Sequence, residues 1–265
     1  MDVWLGLIDE YADRFYNLPT VPLLYCGHFM IVTLGLRKKI GVTFAQTNPL
    51  ACWLSTVVAN LSGVVLINAL LGRPIILMFE DPNKILVITI IWYLAFFCPN
   101  NLFTKFFTSK PLWVIIILLK EAQRAKGMVE GVRMGMKLYP DAMLIVVIIG
   151  FLKGAAGVLA DPVAASIRGS LSLANNEAVK PSFITKISIF ISIALTLSQK
   201  GVTNIPESHL CLAAFLVLAL VKVSLFLSGW RDPFIRFEDA VSPICFGSPV
   251  SNTETSSRSK KTKKE

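Results

Sequence analysis

The sequence predicts an all-α polytopic membrane protein with seven transmembrane helices, arranged as two inverted three-helix repeats plus a seventh helix. Of the 265 residues, 54% are hydrophobic and only 16% are charged, which is too apolar for an ordinary soluble domain of this length. Seven separate stretches are apolar over about the 20 residues that a membrane-spanning helix requires. Six of them divide into two groups of three, and a three-span repeat inverts its own topology.

Each predicted span is bounded by turn-forming or charged residues that are typical of a membrane interface, such as Lys110-Pro111 and Ile205-Pro206. The fourth span is the least apolar of the set and contains several charged residues. The predicted spans are residues 18–36, 48–71, 84–104, 111–136, 139–160, 181–199 and 207–229.

Lysine and arginine in the short loops predict the orientation, because cytosolic loops carry an excess of these residues. Cations cluster on the side shared by the first, third and fifth loops and the C-terminus, beginning with Arg37-Lys38-Lys39 in the first loop. The opposite side has fewer cations and an acidic N-terminus. We therefore expect a cytosolic C-terminus and, with seven spans, a luminal or extracellular N-terminus.

Three segments follow from this arrangement: a luminal N-terminal segment (1–17), a seven-helix domain (18–230) and a cytosolic tail (231–265). The end of the tail is polar, basic and rich in Ser and Thr, so it cannot bury a core, and we expect disorder after about residue 248. Its lysines either attract anionic lipid or only keep the tail soluble. Lys261 and Lys263 resemble a dilysine retrieval signal of the endoplasmic reticulum.

The second and fifth spans hold matching places in the two repeats, and both contain small residues near their centres. Ser62-Gly63 lies in the second span, and Gly154 and Gly157 lie in the fifth beside the charged Lys153. Paired helix interruptions point to the central pathway of an inverted-repeat membrane protein. Small residues also allow helices to pack closely, so both interpretations stay open.

The fourth span carries one stripe of cations and glycines at helical spacing. Charges at this depth cost several kcal/mol if they face hydrocarbon, so their partner is a carboxylate, a water-filled pore or a phosphorylated lipid headgroup. Glu121 and Lys126 are expected to point away from this stripe. The stripe consists of Lys120, Arg124, Gly127, Gly131 and Gly135.

The sixth span has hydroxyl side chains at helical spacing, among them Ser188 and Ser192. Such a stripe either lines a hydrophilic pore, where hydroxyl groups replace the hydration shell of an ion, or joins neighbouring helices through hydrogen bonds.

Enzymatic chemistry finds no support in the sequence. The two histidines, His28 and His209, lie in separate spans, and no metalloprotease, hydrolase, phosphate-binding or dinucleotide-binding motif is present. The five cysteines are scattered singly, which argues against a metal or disulfide framework. We therefore expect neither catalysis nor a metal site, and no nucleic-acid partner.

Several segments together resemble the trimeric intracellular cation channels (TRIC) of the endoplasmic and sarcoplasmic reticulum. "KEAQRAKGMVEGV" is similar to the KEVxR segment of that family and its following Gly-Val. Arg133 and Met134 depart from the His-Ala of vertebrate-like members. The other matching segments, in family order and spacing, are "NPLACWL", "LLGRPI", "WYLAFFCP", "GFLKGAAG", "PSFITKIS" and "FEDAVSPICFG".

The resemblance implies a homotrimer with seven spans and one ion pathway per protomer. It implies conduction of monovalent cations, chiefly potassium, as counter-ion flow during calcium release. It further implies that Lys120 and Arg124 bind phosphatidylinositol 4,5-bisphosphate near the cytosolic gate. The pore and gate candidates are Ser62, Gly63, Lys153, Gly154, Gly157, Ser188 and Ser192.

Two other functions remain compatible with the residues alone. Inverted repeats also occur in alternating-access secondary transporters. A non-conducting scaffold that binds phosphoinositide would equally use the cations of the fourth span. Lysines in a pore do not by themselves favour cations, so the residues that select the ion are not predicted.

Overall fold

The described part of the chain is entirely helical in its regular structure. A computed structural model describes residues 2–20, 23–159 and 181–228, together with Pro162 and Ser166. The predicted cytosolic tail and its disorder, as well as most of the fifth loop, lie outside these residues. The α-helices are α1 (Asp2–Asn17), α2 (Leu23–Thr47), α3 (Pro49–Leu70), α4 (Pro82–Phe97), α5 (Leu102–Phe107), α6 (Lys110–Leu138), α7 (Met143–Leu159), α8 (Phe183–Gln199) and α9 (Glu207–Ser228).

Within the described residues, α3 and α9 are long and apolar enough to cross a membrane by themselves. The pair α4 and α5 passes the same test only as one bent unit. Helices α7 and α8 are apolar but contain 17 residues each, which is the lower end of the length that spans a bilayer.

The third predicted span, 84–104, is not one continuous helix but a bent pair of helices. Helix α4 ends at Phe97, and the chain bends by 98° before continuing into α5. Proline has no N–H, so Pro99 cannot donate to the carbonyl of Ala95 as a continuing helix would require. Asn100 and Asn101 then adopt left-handed backbone angles, with φ of 54° and 57°.

Arg37 was predicted in a loop, but it lies inside α2, which continues to Thr47. The helical geometry breaks only at Gly41, where φ is 75°. The buried guanidinium of Arg37 donates hydrogen bonds to the Ala95 carbonyl, Thr104 Oγ1 and Asn101 Oδ1. It therefore supplies the donor that Pro99 lacks and ties α2 to the bend after α4.

Residues 1–17 were assigned to the luminal side from the sequence, without a prediction of their secondary structure. The segment contains helix α1, which packs against α9. The rings of Phe15 and Phe215 stack with their centroids 4.8 Å apart. Glu207 at the start of α9 accepts hydrogen bonds from the Tyr16 hydroxyl at 2.7 Å and from Arg133 Nε of α6 at 3.0 Å. Arg133 thus joins α6 to both α1 and α9.

The helices form two sets of three with the same packing pattern. In the first set, α2, α3 and α4 contact one another, and in the second set α6, α7 and α8 do so. Across the two sets, α2 packs on α6 and α3 packs on α7. The four helices α2, α3, α6 and α7 therefore close a ring, and the interior of this ring contains the candidate site.

Candidate functional site

A cavity of about 160 Å³ lies inside this ring of four helices, and the beginning of α4 also contributes to it. The predicted site residues that line the cavity come from three of the predicted spans, the second, fourth and fifth. The first and last of these residues are 95 positions apart in the sequence. The predicted residues that line the cavity are Ser62, Gly63, Lys120, Arg124, Lys153, Gly154 and Gly157.

Helical spacing predicted that the cations and glycines of α6 share one face, and the glycines of this face pack against α7. A Cβ on Gly135 would lie 2.9 Å from Val146 Cα, and one on Gly131 would lie 3.0 Å from Gly150 Cα. Both distances are shorter than ordinary carbon contacts, so only glycine allows α7 to approach this closely. Gly131 and Gly135 are therefore covered by α7 rather than open to an ion, whereas Gly127 lines the cavity.

Glu121 was predicted to point away from the stripe that contains Arg124. In the structure the two side chains form an ion pair. Arg124 Nε donates to Glu121 Oε2 at 2.8 Å, and the two residues are only 8% and 2% exposed. Residues three apart are neighbours on a helix, so Glu121 reaches Arg124 although it lies off the face of Lys120. The Arg124 guanidinium also donates to the Gly154 carbonyl of α7.

Lys120 is half-buried at one end of the cavity, and no hydrogen bond or ion pair joins it to another described residue. Lys126, in contrast, points away from the cavity, as predicted, and its ammonium donates to the carbonyl of Leu18. The two lysines of this segment therefore differ: one faces the cavity, and the other fixes the chain between α1 and α2.

The small residues that suggested helix interruptions in the second and fifth spans lie where α3 and α7 face each other. Both helices are continuous through these residues, and Ser62 Oγ donates to the Ala59 carbonyl at 3.0 Å within its own helix. A Cβ on Gly157 would lie 4.0 Å from Ser62 Oγ, so this part of the interface retains space. Ser62, Gly63 and Gly157 thus border the cavity without a break in either helix.

Ser188 and Ser192 of α8 do not line the cavity. Ser192 Oγ donates to the Val147 carbonyl of α7 at 2.7 Å. A Cβ on Gly154 would lie 2.9 Å from Ser188 Oγ. Both serines therefore lie at the packed contact between α7 and α8. Ser192 joins the two helices through its hydrogen bond, whereas Ser188 Oγ is buried without a hydrogen-bond partner among the described residues.

Four ionisable lining residues were not among the predicted site residues: Tyr25, His28, Lys84 and Glu130. His28 Nε2 lies 3.2 Å from the Asn60 carbonyl of α3. Glu130 follows Lys120, Gln123 and Gly127 at helical spacing, so the face of α6 contained the signal. Tyr25 of α2 and Lys84 of α4 line the cavity because of how these helices pack, and no local sequence pattern indicated it.

Lys84 is held at the cavity by the first turn of α4. Its Nζ lies 3.3 Å from Asp81 Oδ2 and 5.0 Å from the centroid of the Tyr25 ring. Asp81 caps α4 by accepting from the backbone N–H of Asn83 at 3.0 Å. Partial desolvation would raise the pKa of Asp81, but hydrogen bonds from Lys84 and Asn83 outweigh it and hold the pKa below its ordinary value.

These features define a class: a helical membrane protein built around an internal cavity that carries charges from two sets of helices. The sequence of residues 38–229 matches the family described as TRIC channel. Trimeric intracellular cation channel type 1B.1 of Caenorhabditis elegans is 30% identical over 248 residues, covering 91% of this chain and 83% of the relative.

Solved structures agree with this match. A trimeric intracellular cation channel from C. elegans in the absence of Ca²⁺ superposes with a TM-score of 0.79 at 27% identity, covering 84% of this chain and 97% of the other. A structure described as the basis for activity of TRIC counter-ion channels in calcium release has a TM-score of 0.79 at 25% identity, covering 83% and 99%. The chain belongs to the TRIC channel family and is an ion channel, not an enzyme.

Proposed function

We propose that the protein is a potassium-permeable monovalent cation channel of the endoplasmic or sarcoplasmic reticulum membrane. In this role it supplies counter-ion flow when calcium leaves the store, as the description of the similar counter-ion channels suggests. The observation that carries the proposal is the cavity between α2, α3, α6 and α7, which gathers the family-like segment of α6 and the small residues of α3 and α7. The ion would pass along this cavity.

We further propose that Lys120 and Arg124 bind the headgroup of phosphatidylinositol 4,5-bisphosphate. Both residues line the same cavity, one helical turn apart on α6. Arg124 uses Nε and one terminal nitrogen for Glu121 and Gly154, which leaves three of its five N–H donors for a phosphate. Two cations on one face suit a multivalent phosphate.

The proposed topology has seven spans: two inverted repeats, α2 to α4 and α6 to α8, followed by α9. The identical packing pattern within the two sets of helices supports it. It directs the N-terminus to the lumen and the C-terminus to the cytosol. Protease protection of terminal tags in sealed microsomes tests this topology, and protection of both tags or of neither would contradict it.

Recording from purified protein in planar bilayers tests the proposed conduction. With a KCl gradient across the bilayer, we expect unitary current steps and a reversal potential near that of potassium. A preference for chloride, or no current from protein of correct fold, would overturn the proposal. Flux that saturates and is coupled to a second solute would instead indicate the secondary transporter, which family membership does not favour.

A further inference from the structure

The cations around the cavity fall into two groups, those with an ion pair and those without one among the described residues. Arg124 is paired with Glu121, and Lys84 is paired with Asp81. Lys120 and Lys153 also line the cavity, and neither has an ion pair within the described residues. A cavity with these two lysines alone would repel the cations that the proposed function requires it to pass.

Glu130 is the carboxylate that lines the cavity within the described part of the chain. Its side chain is exposed and forms no ion pair with a described cation. It lies ten residues from Lys120 on α6, or about 15 Å along the helix axis. The negative charge therefore sits at the opposite end of the cavity from Lys120.

Lys153 lies close to this end as well. A Cβ on Gly131, the residue after Glu130, would meet Lys153 Cγ at 2.7 Å, so the stem of Lys153 crosses α6 at that point. Lys84, the other cation at this end, is held by Asp81. The side-chain stem of Lys153 thus lies against α6 one residue from Glu130, on the cavity that both residues line.

We propose that Glu130, on α6 at the opposite end of the cavity from Lys120, makes the lysine-lined cavity admit cations and is a determinant of its ion selectivity. This assignment rests on the proposed function. Carboxylates at the entrance of a narrow passage raise the local cation concentration and lower that of anions. At about 4 Å in water, one unit charge changes the local concentration of a monovalent ion about fivefold.

Reversal potentials of Glu130→Gln, Glu130→Asp and Glu130→Lys in a KCl gradient test the assignment. We expect the ratio of potassium to chloride permeability to fall about fivefold or more in Glu130→Gln, to fall further in Glu130→Lys, and to remain near that of the wild type in Glu130→Asp. Because Glu130 is exposed and unpaired within the described residues, the variants are expected to fold.

Glu80→Gln is the matched control, because Glu80 is an exposed carboxylate just before α4 that does not line the cavity. It should leave the permeability ratio unchanged. If the wild type selects potassium and Glu130→Gln behaves like Glu80→Gln, the selectivity assignment is wrong while the proposed function stands. If the wild type carries no potassium current, the proposed function fails and the assignment fails with it.

Discussion

Arg124 and Lys120 occupy one face of α6 but differ in what they contact. Arg124 is bound to Glu121 and to the carbonyl of Gly154, so its charge is compensated and it connects α6 to α7. Lys120 contacts the cavity without an ion pair to a described residue. The salt-bridge interpretation therefore applies to Arg124, whereas Lys120 is available for the proposed lipid phosphate.

Lys120→Met and Arg124→Met should separate the two roles. Removing Arg124 leaves the carboxylate of Glu121 buried without a partner, which costs about 3–5 kcal/mol, so we expect a clear fall in the apparent Tm of the purified protein. Lys120→Met should leave the apparent Tm unchanged but reduce phosphoinositide retention about tenfold, because a charged hydrogen bond to phosphate is lost.

The double variant Glu121→Gln with Arg124→Met controls for the buried charge and should recover part of the lost stability. Lipid retention is measured by mass spectrometry of protein purified in mild detergent. Equal stability losses for Lys120→Met and Arg124→Met would show that Lys120 is structural, and undiminished lipid in both would refute the phosphoinositide site.

At the scale of the helices, glycine has two different uses in this fold. On α6, Gly131 and Gly135 allow the backbone of α7 to approach to contact distance. On α7, Gly157 faces Ser62 across a gap that would accept a methyl group. Close packing therefore explains the first pair, whereas Gly157 belongs to the part of the interface that borders the cavity.

Gly135→Ala and Gly157→Ala form a matched pair of substitutions. The new Cβ of Gly135→Ala would lie 2.9 Å from the backbone Cα of Val146, and we expect a loss of about 1–3 kcal/mol from overpacking. Gly157→Ala meets nothing nearer than 4.0 Å and gains helix propensity, so its apparent Tm should be unchanged or higher. Thermal unfolding in detergent compares the two, and equal destabilisation would contradict this explanation.

At the scale of the whole molecule, the relatives and the solved structures are named trimeric, and we propose a homotrimer for this chain. Each protomer already contains a complete ring of α2, α3, α6 and α7 around its own cavity. Assembly would therefore not be needed to build the pathway, and it would place three separate pathways in one complex.

Native mass spectrometry of protein purified in mild detergent checks the oligomeric state. We expect a complex of three times the 29.2 kDa chain, which dissociates to single chains under denaturing conditions. A single-chain mass for protein that still conducts potassium would contradict the homotrimer while leaving the pathway within each protomer intact.

Local sequence features predicted much of the helical architecture. Each of the seven apolar stretches overlaps one helix of at least 16 residues in the described chain. The α6 stripe shares one face because helical periodicity depends only on spacing. The α4 bend was missed although Pro99 marked it, because mean hydropathy continues across the break. Arg37 was assigned to a loop because its buried partners, Asn101 and Thr104, are distant in sequence.

Composition, residue spacing and ordered motifs were enough to infer a helical membrane protein, a shared face for Lys120 and Arg124, and the family to which the chain is similar. Those properties follow from composition, spacing and ordered motifs, which need no knowledge of contacts between helices. The packing of the helices was needed to show that Arg124 pairs with Glu121, that Ser188 and Ser192 lie outside the cavity lining, and that Glu130 lies within it. Such contacts depend on how separate helices are oriented against one another, and local patterns do not contain that information.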